Sequence, residues 1–248
     1  MMKRMELFIQ EDFYHHGVMQ YVPWNPATAP HIVIFGATGT GKTYATKLML
    51  GRISIQCPDS CIYVCDFKGD SDFSFLDGES RFFRFFDCEK GLSAFYDEFQ
   101  KRQSGQDSRR HFLLLFFDEW ASYILNLDKK KAADEKKKLA SLLMLGRSFN
   151  VHVLISQQRV DASYFNAARD NFNLVIALGN LSEEGKEMMF REFKDRMKPD
   201  RKQGTGYMLT NGTDFTPVLV PSISSMERLH HCIRQAVTRL PLPGACKA

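Results

Sequence analysis

Residues 36–43, Gly36-Ala37-Thr38-Gly39-Thr40-Gly41-Lys42-Thr43, follow the pattern G-x-x-x-x-G-K-[ST], and no other feature of the chain constrains its fold as tightly. An apolar run at 32–35 precedes the motif. A helical pattern at 43–50 follows it, and Gly51 is predicted to cap that helix. Glycines let such a loop fold back on itself and aim its N–H groups at phosphate oxygens, while the helix adds the positive end of its dipole. In that geometry the loop from Gly36 to Tyr44 cradles the phosphates. Lys42 reaches the β- and γ-phosphates, and the Thr43 hydroxyl binds Mg²⁺. The expected ligand is ATP with Mg²⁺, since no Asn-Lys-x-Asp guanine-reading motif occurs.

Further short apolar runs at 61–66, 112–117, 151–155 and 173–178 read as buried parallel strands, with a shorter one at 82–86. Helical patterns at 91–100 and 134–149 lie between them. Strand and helix alternate, so the expected class is α/β, a mainly parallel sheet flanked by helices. The run at 112–117 delivers Asp118 and Glu119 at its end, where open α/β sheets bind ligands. Asp118 suits the Mg²⁺-associated acid, and Glu119 the residue that activates the attacking water. The strand at 61–66 lies between Lys42 and Asp118 in the chain, as in ATPases with a catalytic glutamate and an inserted central strand.

The last third differs. Runs at 206–210 and 215–220 flank Asn211-Gly212, a hairpin signal. Ser224-x-x-Glu227 is predicted as a capping box for a closing helix. Residues 101–110 are predicted as an exposed loop. Residues 128–138 carry six lysines and three acids, a local charge of +3.

Bulk composition excludes several classes. The 248 residues are 44% apolar and 25% charged, with a net charge of +4, so the chain is globular and its average charge makes no case for nucleic acid. The longest apolar run, 112–117, is far short of the roughly 20 residues of a membrane helix, and the N-terminus has no signal-like apolar core. The six cysteines form no Cys-x-x-Cys pair and read as buried small hydrophobes in a reducing compartment, so a cytoplasmic location is expected. The 21 Phe, 8 Tyr and 2 Trp invite a base-stacking reading. Most fall in strands or at helical spacing, which assigns them to the core and to subunit contacts.

Five segments in order resemble the FtsK/HerA superfamily of DNA-pumping ATPases, which includes SpoIIIE and the conjugative coupling proteins. Pro30-His31 leads the phosphate loop. Val64-Cys65-Asp66-Phe67-Lys68-Gly69 is similar to an Asp-Pro-Lys-Gly segment, with Phe67 in place of proline. Phe117-Asp118-Glu119-Trp120 resembles the Asp-Glu-aromatic ending, Leu145-Gly146-Arg147 the Gly-Arg helix end, and Ser156-Gln157-Gln158-Arg159 the Ala-Thr-Gln-Arg sensor.

The resemblance covers about 22–220. It implies a RecA-like P-loop NTPase, with residues 1–248 as one motor domain and 1–30 a short N-terminal extension. It makes Gln158 the γ-phosphate sensor and Arg147 the arginine presented to a neighbouring subunit's nucleotide, with Arg159 and Arg169 as weaker finger candidates. The active unit is then a homo-oligomer, expected as a hexameric ring around DNA, duplex favoured over single-stranded. Lys68 and the lysines from Lys129, Lys130 and Lys131 onward are the candidate backbone contacts. No membrane anchor and no separate winged-helix DNA reader are expected. Plasmid or mobile-element transfer, with membrane-bound or DNA-processing partner proteins, therefore fits better than oriented chromosome pumping. A regulatory ATP-binding adaptor and a small-molecule kinase are the competing readings.

Overall fold

The computed structural model describes residues 4–158 and 161–239. In chain order it contains β1 (Met5–Gln10), α1 (Glu11–His15), β2 (Tyr21–Trp24), β3 (His31–Phe35), α2 (Lys42–Gln56), β4 (Cys61–Asp66), β5 (Phe82–Arg84) and α3 (Cys88–Gln103). There follow β6 (Leu113–Asp118), α4 (Trp120–Leu125), α5 (Lys129–Leu145), β7 (Val151–Gln157), β8 (Leu174–Leu178), α6 (Glu183–Met189), β9 (Thr205–Thr210), β10 (Asp214–Leu219) and α7 (Met226–Thr238).

The strands form one ten-stranded sheet in the order β2-β1-β10-β9-β8-β3-β7-β6-β4-β5. The six from β8 to β5 are parallel, and the other four continue the sheet antiparallel. The parallel strands are apolar throughout because both faces are covered. Along β6, Leu113, Leu115 and Phe117 join the core under α3 and α5, while Leu114 and Phe116 join the core under α2 and α7. The expected mainly parallel α/β sheet with a C-terminal hairpin and helix is what forms.

Sheet order adds what chain order does not show. The strand separating the phosphate-loop strand β3 from the acid-bearing strand β6 is β7; β4 lies beyond β6. Residues 1–30 contribute β1 and β2 to the sheet through β10, and Glu11 is tied to Arg201 at 2.8 Å.

Four local expectations are corrected. Gly51 does not end α2, which runs to Gln56; a Cβ at Gly51 would lie 2.0 Å from Leu229 Cδ1, so its glycine serves the close approach of α7. The cap of α7 is Ser225, which accepts from Arg228 N, one residue beyond the predicted Ser224. The stretch 101–110 is not simply an exposed loop. α3 continues to Gln103, and Arg102 is buried with Nη1 donating to the carbonyls of Phe149 at 2.8 Å and His111 at 3.1 Å. Finally, the helix predicted at 134–149 begins at Lys129, because Asp128 Oδ1 accepts from Lys130 N and Lys131 N, and it passes into a 3-10 turn at Gly146–Phe149. Most aromatics are buried as expected, but Phe85 and Phe86 are 52% and 60% exposed.

Candidate nucleotide site

The phosphate loop leaves the C-terminal end of β3 and enters α2 at Lys42, with Gly41 in the left-handed region at φ 95°. Gly36 is fixed by space. A Cβ there would stand 2.5 Å from Thr40 Oγ1 and 2.6 Å from the Leu178 carbonyl. Thr40 Oγ1 donates to the Ala37 carbonyl at 2.8 Å, and the Lys42 ammonium donates to the carbonyls of Gly36 at 2.5 Å and Ala37 at 3.2 Å. A phosphate entering the loop would replace these carbonyls as the partner of Lys42.

One cleft of about 300 Å³ brings together Thr38, Gly39, Gly41, Lys42, Thr43 and Tyr44 from the loop with Asp118, Glu119 and Gln158 from the ends of β6 and β7. Gly36, Ala37 and Thr40 belong to the same loop, and Ala37 lines an adjoining cavity with Gln158. Tyr44 is anchored by its hydroxyl, which accepts from Ile223 N. Thr38 Oγ1 stands 3.5 Å from Gln158 Oε1.

Both acids are buried, at 7% exposure each. Burial pushes the Asp118 carboxyl up to about 7; a hydrogen bond from Ser156 and the charge of Lys42 oppose that, and the charges of Glu119 and Asp66 add to it. Glu119 is raised by burial and pulled back by its hydrogen bond with Gln158 and by the charges of Lys42 and Lys68. Lys42 is lowered by burial, against the charges of Glu119 and Asp118. Glu119 sits at φ 57°, ψ 48°, a conformation uncommon for a residue with a side chain, at the turn from β6 into α4.

A divalent cation suits this cleft. Asp118 pairs in register with Asp66 on β4, and burial leaves negative charge there short of compensation. The donors available, a threonine hydroxyl and a carboxylate, are the hard oxygens Mg²⁺ prefers. Among the described residues no cluster of three metal-binding side chains occurs; Mg²⁺ commonly takes one or two protein carboxylates and fills its shell from phosphate and water.

Of the other expected residues one joins this cleft and the rest lie elsewhere. Lys68 lines this same cleft and is paired with Asp70 at 2.5 Å. Lys129, Lys130 and Lys131 are exposed at the start of α5. Arg147 is exposed in the turn before β7, at the opposite end of the sheet from Lys42. Arg159 lies outside the described residues, and Arg169 pairs with Asp170.

Sequence reasoning missed three residues here. Gln203 reaches the cleft from a segment whose Gly204 N donates to the Thr40 carbonyl at 3.0 Å. Asp72 lines it while pairing with Lys47. Arg84 braces the segment behind Asp66, donating to the carbonyls of Gly69 and Asp70. An arginine set among Phe82, Phe83, Phe85 and Phe86 was the available signal. Phe67, where the resembled pattern has proline, packs edge-on against Phe86 and Tyr123.

A strand, a glycine-rich loop and a helix that converge with two acids at the C-terminal edge of a parallel sheet define a P-loop nucleotide-binding fold. No protein-family profile matches the chain. It is 25% identical over 225 residues to the FtsK domain-containing protein YdcQ of Bacillus subtilis (strain 168), which covers 83% of this chain and 46% of that protein. The pCW3 conjugation coupling protein TcpA, solved as a monomer with ATPγS, superposes with a TM-score of 0.69 at 19% identity, over 88% of this chain and 66% of that one. The cytoplasmic domain of the Thermomonospora curvata Type VII secretion ATPase EccC gives a TM-score of 0.68 at 17% identity, over 95% and 31%. The chain is thus a relative of an FtsK-domain protein and carries the P-loop fold of FtsK/HerA-type ATPases. It spans less than half the length of the curated relative, 46%. No helix among the described residues is long and apolar enough to cross a membrane.

Proposed function

We propose that the chain is an ATP-hydrolysing motor that moves DNA, of the kind used in plasmid or mobile-element transfer. The observation that carries this reading is the single cleft in which the loop lysine, the two buried acids and Gln158 meet. Lys42 and the loop N–H groups would hold the phosphates, with Thr43 and Asp118 holding Mg²⁺. Bound Mg²⁺ supplies charge neutralisation between the β- and γ-phosphates. Glu119 would take the proton of the attacking water; its raised pKa makes it a better base than a free carboxylate. Gln158 touches both Glu119 and Thr38, so it would register the terminal phosphate and pass its loss to β7.

The remaining charge stabilisation is assigned to Arg147 of a second copy, because about six residues of strand at roughly 3.3 Å each separate Arg147 from its own cleft. Active chains would then be oligomeric, with a hexameric ring as the proposed form. For DNA, the lysines opening α5 are the proposed contact. Lys131 pairs with Glu89 at 3.4 Å and Asp128 caps the helix, so Lys129 and Lys130 are the cations this helix end would offer to the DNA backbone. Lys68 would act at the phosphate cleft rather than on DNA, given its ion pair there.

That TcpA is a conjugation coupling protein supports the transfer setting. The test is ATP hydrolysis with and without duplex DNA. Stimulation that Glu119→Gln abolishes supports the motor; turnover indifferent to every DNA tried counts against it.

A further inference from the structure

The helix that follows Glu119 is tied to the helix that carries the exposed lysines. α4 begins directly after Glu119, and Tyr123 N in its first turn donates to the Glu119 carbonyl at 3.0 Å. The hydroxyl of the same tyrosine donates to Glu135 Oε2 of α5 at 3.2 Å. Tyr123 thus holds the backbone of the buried acid at one end and α5 at the other. Its ring also packs against Phe67 at a centroid distance of 5.4 Å, and Lys68, the next residue, lines the cleft.

Apolar packing does not require this tie. Tyr123 is fully buried, and its ring already packs against Phe117 and Trp120, contacts that seat α4 on the core without any hydroxyl. Glu135 is only 4% exposed. A carboxylate in such a place costs stability unless it is well paired. Tyr123 supplies one partner. Lys138 Nζ supplies the other, donating to Glu135 Oε1 at 2.8 Å and to Ser93 Oγ of α3 at 2.9 Å. An apolar residue at 135 would need none of these partners.

The other end of α5 gives the acid a purpose. Lys129 and Lys130 are exposed in its first turn, at the DNA contact proposed above. Glu135 follows Lys130 by five residues, about 7.5 Å along a helix axis. Hydrogen-bonded helix is stiff over so short a span, so a displacement of the first turn carries Glu135 with it. Tyr123 then receives that displacement beside both Glu119 and Phe67.

We infer that the Tyr123–Glu135 hydrogen bond couples DNA held at the start of α5 to the placement of Glu119, which makes both of them positioning residues outside the cleft. The inference rests on the DNA-motor reading above and adds to it the route by which DNA would raise turnover. DNA acts along this route by binding one arrangement of α4 and α5 more tightly than another.

The test is the ATPase rate with and without saturating duplex DNA for the parent, Tyr123→Phe and Glu135→Gln, with DNA affinity measured beside it by fluorescence anisotropy. Tyr123→Phe removes the hydroxyl and keeps the ring. Without DNA, Glu119 is still held by its backbone bond to Ser156, so the basal rate is expected to stay near the parent's. The stimulation ratio is expected to fall to about one, with DNA still bound as tightly as by the parent. Glu135→Gln keeps an oxygen that accepts from Tyr123 and is expected to retain stimulation. Parental stimulation in Tyr123→Phe overturns the coupling and leaves the motor reading standing. So does a lowered basal rate with the ratio preserved, which is what a merely structural bond would give. If the parent itself responds to no DNA, the motor reading falls, and the coupling with it.

Discussion

Glu119 donates its backbone N–H to the carbonyl of Ser156 at 2.7 Å, so the residue leaving β6 is stitched to β7 where Ser156 also hydrogen-bonds Asp118. The left-handed turn at Glu119 is therefore held by the neighbouring strand, and its carboxylate is placed by backbone rather than by side-chain choice. Glu119→Gln keeps the shape and the contact with Gln158 but removes the base. We expect ATP turnover to fall by about 10²–10⁴-fold with nucleotide affinity little changed, measured as steady-state hydrolysis beside equilibrium binding of a fluorescent ATP analogue. Affinity and turnover lost together would assign Glu119 to binding instead.

Gly51 and Leu229 make the contact between α2 and α7. Alanine at 51 improves helix propensity by about 1 kcal/mol, yet its Cβ would meet Leu229 Cδ1 at 2.0 Å and Cγ at 2.7 Å. Overpacking of this kind costs about 1–3 kcal/mol, so Gly51→Ala should lower the urea midpoint. Adding Leu229→Ala to it should cost less than the two single losses summed.

Arg102 shows what local pattern reading cannot reach. Its neighbours Lys101, Gln103, Ser104 and Gly105 announce a polar surface, and the partners that bury it, the carbonyls of His111 and Phe149, belong to distant turns. Arg102→Met should destabilise by about 2–4 kcal/mol, since buried carbonyls lose their donor. Denaturant unfolding checks this, and a cost near zero would mean that water replaces the guanidinium.

The same contrast runs through the molecule. The parallel strands were legible because burial on two faces leaves continuous apolar runs, and the phosphate loop because its chemistry is contained in eight adjacent residues. Insertion of β7 between β3 and β6, the placement of Gln203 over the loop and the brace from Arg84 all depend on contacts between remote segments. Periodicity does not encode those. Gly51 misled for a related reason: glycine marks helix ends and close helix approaches alike, and only the position of α7 separates the two.

His31 and His152, buried side by side at the starts of β3 and β7, set an acid limit. Burial, with the charge of His152, pushes His31 down to about 3, and burial pushes His152 down to about 4. From the ordinary 6.5 down to these values the unfolded chain binds protons that the folded chain refuses. The stability these two histidines contribute should therefore be fully present above about pH 6.5 and fall as pH drops toward 4, against the opposite slope from the raised Asp118 carboxyl. Urea midpoints measured across that range should slope less steeply for His31→Leu than for the parent; an identical slope would show that His31 is protonated equally in both states.

The central claim, a DNA motor completed between subunits, is tested most directly by specific ATPase activity against protein concentration, with and without duplex DNA. We predict a rate that rises cooperatively with concentration, is raised further by DNA, and stays low at every concentration for Arg147→Ala. A specific activity independent of concentration and unmoved by DNA would contradict the account.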